Sequence, residues 1–127
     1  MKIGTLFLIN GILAIGHGLG FIFLPSMLLA IYQVPIAPGA VLLGQLFGVQ
    51  LLFIAIVIWN ARDLRDGQAL GAIVLGGVVT SAVGTVVTAK ALADGIFGPM
   101  GWLAVTIYAL LALGYLDFQL QPTKRAA

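Results

Sequence analysis

Ile3 to Leu24 reads IGTLFLINGILAIGHGLGFIFL, an apolar run of 22 residues with one titratable side chain, His17, set among glycines as Gly16-His17-Gly18-Leu19-Gly20. At about 1.5 Å per residue, a helix of that length covers roughly the 30 Å of a bilayer's hydrocarbon core. The run ends against Pro25, and the residue before a proline is pushed away from helical angles. Lys2 in front of the run invites comparison with a secretory leader. However, the apolar core exceeds the roughly 7 to 15 residues of a leader, Asn10 and His17 interrupt it, and no Ala-x-Ala site follows. A retained membrane span over residues 3–24 is therefore expected.

Three further runs repeat the pattern, and expected spans fall at 40–59, 69–89 and 99–116. Ser26 to Tyr32 reads as a short half-turn in the headgroup region with Tyr32 as its anchor, followed by an uncharged loop stiffened by Pro35 and Pro38. Arg62, Asp63, Arg65 and Asp66 make a compact charged turn, and Asp94 to Gly101 forms the third connection. The four spans use most of the 127 residues. The expected fold is all-α: one polytopic domain over 1–127, four antiparallel transmembrane helices in a single bundle. Lys2, Arg62, Arg65, Lys124 and Arg125 fall on one side of such a bundle and only Lys90 on the other, so both termini are expected in the cytoplasm.

Composition agrees. Hydrophobic residues make up 61% of the chain and charged residues 8%, with a mean hydropathy of +1.16, whereas about a quarter of a soluble domain is charged. A formal charge of +2 from scattered basic residues does not make a nucleic-acid surface. The chain has no cysteine, which removes thiol catalysis and thiolate metal ligation, and it has no glutamate. With no recognisable catalytic motif, an enzyme is not expected, and no catalytic or metal-binding residue is assigned.

Helices in lipid associate through close packing of small residues and occasional polar contacts. Gly16 and Gly20 on the first span, Ala40, Gly44 and Gly48 on the second, and Ala72, Gly76, Thr80, Gly84 and Thr88 on the third recur every four residues. Gly77, Ser81 and Thr85 lie beside the third stripe. Each stripe is expected to be a helix-packing face.

An ionisable residue inside a membrane is a candidate site by default. Asn10 and His17, seven residues apart, share one side of the first span. Counted from the same membrane face, Gln45 and His17 differ in depth by only about 3 Å, so they are expected to meet and to dock the first span on the second. Gln50, deeper, is in reach of Asn10 or Thr80 on the same count. Two ligand-bearing alternatives stand beside this docking role. In one, His17, Gln45 and Tyr108 hydrogen-bond a quinone or a lipid headgroup. In the other, His17 is an axial ligand to haem or chlorophyll, with its glycines allowing a macrocycle to approach.

Asn10-Gly11 and His17-Gly18 on the first span, Pro25 at its end, Gly44-Gln45-Leu46-Phe47-Gly48 on the second and Trp59-Asn60-Ala61-Arg62 at its close resemble the small DoxX-like bacterial membrane proteins. That resemblance implies a four-helix bundle and, for some relatives, a place beside quinone-linked oxidoreductases. The expected role is a small accessory or structural subunit of the bacterial inner membrane. Its partners would be the bilayer and other membrane subunits or copies of itself, with no nucleic acid and no obligatory cofactor. Small-solute transport is the remaining alternative; coupling through an intramembrane glutamate is excluded by the lack of one.

Overall fold

The computed structural model describes residues 1–125, and the described residues form helices and connections without a strand. Four helices are long and apolar enough to cross a membrane: α1 (Ile3–Phe23), α3 (Pro38–Ala61), α4 (Gly67–Ala93) and α5 (Gly101–Leu120). Two short helices, α2 (Pro25–Ile31) and α6 (Pro122–Arg125), follow α1 and α5.

The ends of these helices follow from local chemistry. Pro25 interrupts α1 as expected, but it also occupies the first turn of α2, where its missing N–H leaves no hydrogen bond unmade. The segment expected as a half-turn is therefore a seven-residue helix. Pro38 opens α3 in the same way. At α4 the Asp66 carboxylate accepts from the backbone N–H groups of Gln68 at 2.8 Å and Ala69 at 3.1 Å, satisfying donors that the first turn leaves free. Beyond α4, Gly95 takes a left-handed φ of 72°, a conformation that costs glycine little. The fourth membrane helix starts at Gly101, later than residue 99, and runs past residue 116 to Leu120.

The four long helices pack as two pairs, α1 with α3 and α4 with α5. In the first pair Gly4 faces the Arg62 carbonyl, Gly11 faces Trp59, Gly18 faces Gly48 and Phe21 faces Gly44. The contacts climb one helix while descending the other. At the crossing, a Cβ on Gly48 would lie 2.7 Å from the Gly18 carbonyl oxygen, so backbone touches backbone. In the second pair two tyrosine rings lie on two glycines: Tyr115 on Gly77, where a Cβ would meet the ring at 2.6 Å, and Tyr108 on Gly84.

The pairs are joined at both ends. Where the chain termini lie, Phe7, Ile58, Leu70, Val74, Tyr115 and Phe118 are buried in one apolar cluster drawn from all four long helices. There the Asn10 amide donates to the Tyr115 hydroxyl at 2.6 Å, and Leu6 packs against Gly114. At the α2 end, the Gly98 N–H donates to the Tyr32 carbonyl at 2.9 Å, the Tyr32 and Phe97 rings lie 5.7 Å apart, and the Gln33 side chain rests on Gly98.

Candidate functional site

Between those two junctions the pairs stand apart and enclose a cavity of about 520 Å³ with residues of α1, α3, α4 and α5 in its wall. That size falls among pockets that hold small organic ligands, about 300 to 1,000 Å³. Most of the lining is aliphatic or aromatic. Its polar members are Asn10, His17, Tyr32, Thr80, Ser81, Thr88 and Tyr108. A more open hollow of about 460 Å³ between the ends of α4 and α5 near Trp102 carries no titratable side chain.

The hydrogen bonds sort these groups into used and unused. His17 Nδ1 lies 3.0 Å from the Leu13 carbonyl oxygen; a carbonyl can only accept, so Nδ1 carries a proton. In the neutral ring Nε2 is then the acceptor, and the Tyr32 hydroxyl stands 3.4 Å from it. Thr80 and Thr88 donate back to the carbonyls of Gly76 and Gly84, each at 2.7 Å. Asn10 is held by Tyr115. Burial, and secondarily the nearby Tyr108, push the Tyr32 hydroxyl above its usual pKa, so Tyr32 remains a neutral donor through the physiological range.

Ser81 and Tyr108 are different. Ser81 is buried, only 4% exposed, and its hydroxyl has no hydrogen-bond partner among the described residues although it lines the cavity. Tyr108 lines the cavity too, with its ring fixed on Gly84 and its hydroxyl unpartnered among the described residues. No buried polar side-chain atom among the described residues lacks a hydrogen-bond partner, so these two hydroxyls are accessible and open to a ligand in the cavity.

Comparison with family models, curated proteins and solved structures gives no match.

Of the three ligand candidates, the structure brings His17 and Tyr108 to the cavity and leaves Gln45 outside it. Gln45 does not meet His17: its side-chain amide donates to the Ile22 carbonyl at 3.3 Å. Gly18 and Gly48 form the α1–α3 contact line. His17 stands about 100° around α1 from Gly18, and the register of that contact sets Gln45 beside Ile22, five residues further along α1, so the two do not become neighbours. Gln50 is exposed, while Asn10 bonds Tyr115 and Thr80 bonds the Gly76 carbonyl.

The packing candidates divide similarly. Gly44 and Gly48 lie against α1, Gly20 against Leu28 of α2, and Gly84 against Tyr108. Gly16 and Gly76 face open space, and Thr80 bonds its own helix while lining the cavity.

Three contributors carry no distinctive signal in the sequence. Tyr32, taken as an interfacial anchor, turns inward to His17; Ser81, noted only beside a stripe, lies on the cavity wall; and Gly18 makes the α1–α3 contact. A signal for the α4–α5 pair was present: Tyr108 and Tyr115 are seven apart, as are Gly77 and Gly84. Rings and gaps at one spacing on two helices suit each other.

Chemically, the site can donate and accept hydrogen bonds around a neutral ligand within an apolar shell. Among the described residues no three His, Cys, Asp or Glu side chains gather. Axial ligation by His17 would require Nε2 to turn away from Tyr32, or Tyr32 to leave.

Proposed function

We propose that this chain is a small accessory subunit of the bacterial cytoplasmic membrane, built as one antiparallel four-helix domain with both termini in the cytoplasm. Its task is to hold a membrane-soluble ligand with a hydrogen-bonding head, of which a quinone is the leading candidate, for a larger membrane complex or a homo-oligomer. The observation that carries this reading is the unpartnered pair of hydroxyls, Ser81 and Tyr108, on the wall of a cavity that also holds His17 and Tyr32. Hydroxyls of this kind match carbonyl or hydroxyl oxygens on a ring, and the aliphatic remainder matches the ring's faces and a hydrocarbon tail. Brevity of the connections supports an accessory role, since the longest interval between α1 and α5 outside helices has seven residues, 94–100. The resemblance to DoxX-like proteins belongs to the same proposal.

The test is extraction. Protein purified from its native membrane in mild detergent is expected to release one lipid-soluble compound near one per chain on solvent extraction and mass spectrometry. Ser81→Ala and Tyr108→Phe are each expected to weaken retention by about ten-fold, the loss of one hydrogen bond of about 1.4 kcal/mol. Equal, background-level lipid in wild type and variants would refute ligand holding. Partners recovered in the same preparation identify the complex, and a chain that runs alone as a monomer refutes the subunit role.

A further inference from the structure

Packed side chains bound the cavity at each end of the helices. At the termini end it stops against the Phe7–Tyr115 cluster and the Asn10–Tyr115 hydrogen bond. At the α2 end it stops beneath Tyr32 and Phe97, tied by the Gly98 N–H to the Tyr32 carbonyl. Leu6 on Gly114 joins α1 to α5 in the junction beside the Asn10–Tyr115 bond, and the tight pairings hold α1 to α3 and α4 to α5.

The exposed part of the cavity wall lies along the seam between α3 and α4. These helices are consecutive and share the turn around Asp66, with Ile58 and Ala61 of one meeting Leu70 and Val74 of the other in the buried cluster. Beyond that cluster they scarcely pack on one another. Every cavity-lining residue that is exposed belongs to this pair: Phe47 and Ile54 on α3, Thr80 and Val87 on α4. The lining residues from α1 and α5 are all half-buried or buried. Phe47 and Ile54 lie seven residues apart, as do Thr80 and Val87, so the rims run for two turns, about 10 Å. The rims lie within helices long and apolar enough to cross a membrane, so the medium beyond them is hydrocarbon.

We propose that the cavity is reached sideways from the bilayer through the seam between α3 and α4, so that its ligand is a membrane-dissolved amphiphile whose head sits at Ser81, Tyr108 and His17 while its chain lies out between Phe47, Ile54 and Val87. This rests on the ligand-holding reading above and adds the route and the shape of the ligand. Side chains packed at both axial ends stand against entry of water-soluble molecules along the helix axes. A compound without a tail would leave the apolar rims uncovered.

The chain has no cysteine, so a single introduced thiol reports access without background. Ser81→Cys, close to Ser in size, places a thiol on the cavity wall. Val79→Cys, at a position 54% exposed, supplies the rate for a thiol in open lipid. Full-length variants are reconstituted in phosphatidylethanolamine–phosphatidylglycerol vesicles and treated with N-dodecylmaleimide, or with a trimethylammonium methanethiosulfonate that stays in water, and adducts are counted by intact mass. The Ser81→Cys thiol is expected to react with the dodecyl reagent within about ten-fold of the Val79→Cys rate, and not with the charged one. Adding Phe47→Trp and Val87→Trp across the rim is expected to slow it by at least about ten-fold while leaving Val79→Cys unchanged, which also shows that the rim variant folds.

Reaction with the charged reagent, inertness to the dodecyl reagent, or indifference to the rim tryptophans would each overturn the route. A retained native ligand together with an inert thiol overturns the route alone. A reactive thiol in a protein that retains no ligand overturns the ligand-holding reading alone.

Discussion

Gly48→Ala and Gly76→Ala make the same chemical change in small-residue stripes that look alike in sequence, yet the structure assigns them opposite outcomes. At Gly48 the new Cβ would lie 2.7 Å from the Gly18 carbonyl oxygen and 3.0 Å from both Ile22 Cγ1 and Phe21 Cβ. The nearest of these is backbone and cannot swing aside, so α1 and α3 must separate by several tenths of an ångström along their whole contact. Overpacking of that kind costs about 1 to 3 kcal/mol, offset by roughly 0.5 to 1 kcal/mol from replacing glycine inside a helix. The net loss is about 0.5 to 2 kcal/mol, or between two- and thirty-fold in the folded-to-unfolded ratio. At Gly76 nothing lies within 4 Å of the new Cβ, so only the helical gain applies. Unfolding by SDS titration from mixed micelles, followed by helical circular dichroism, reads the difference, and the variants should differ by about 1 to 3 kcal/mol with Gly48→Ala the weaker. If Gly48→Ala proves as stable as Gly76→Ala, the backbone contact at the α1–α3 crossing is not what holds that pair together.

The Asn10–Tyr115 bond joins the two helix pairs inside the membrane, and a double-mutant cycle with Asn10→Ala and Tyr115→Phe should give a coupling of about 0.6 to 1.7 kcal/mol in the same titration; additive effects would show the bond to be idle. Tyr32 adds a dependence on pH. Its pKa is raised in the fold from 10.0, chiefly by burial, so folding favours the protonated phenol. The stabilisation this confers is complete below the unfolded value of 10.0 and is lost as pH rises through the higher folded value. SDS midpoints should therefore hold steady up to about pH 9 and fall above pH 10, with the fall reduced in Tyr32→Phe; identical alkaline profiles for the two proteins would contradict the burial of that hydroxyl.

Much of the architecture could be read without coordinates because it follows from solvent transfer. Residues 3–24, 40–59, 69–89 and 99–116 are apolar over lengths that suit a bilayer, and Pro25, Pro38 and Gly95 stop or start helices by their own backbone geometry. The long helices lie within a few residues of those expectations at most ends. The exceptions arise where polar side chains continue a helix into its interfacial turn, as Asp117 and Gln119 do in α5.

For the cavity the reading divided along a physical line. Counting residues from the helix ends put His17 and Gln45 within about 3 Å in depth, but the register in which Gly18 meets Gly48 and Phe21 meets Gly44 sets Gln45 beside Ile22 instead. Rotation about the helix axis depends on which face finds a partner. Gly18 meeting Gly48 turned His17 toward the cavity and Gln45 away from it, and tyrosine rings seated on Gly77 and Gly84 turned Ser81 onto the same wall as Tyr108. Gly16 and Gly76 carry the same local signal as Gly48 and touch nothing, because a small residue permits close approach without requiring it. The chain's order of residues was thus enough for membrane-length helices and their ends. Only the packing of one helix on another decided which polar groups share a space, because that choice is made by complementary surfaces far apart in the chain.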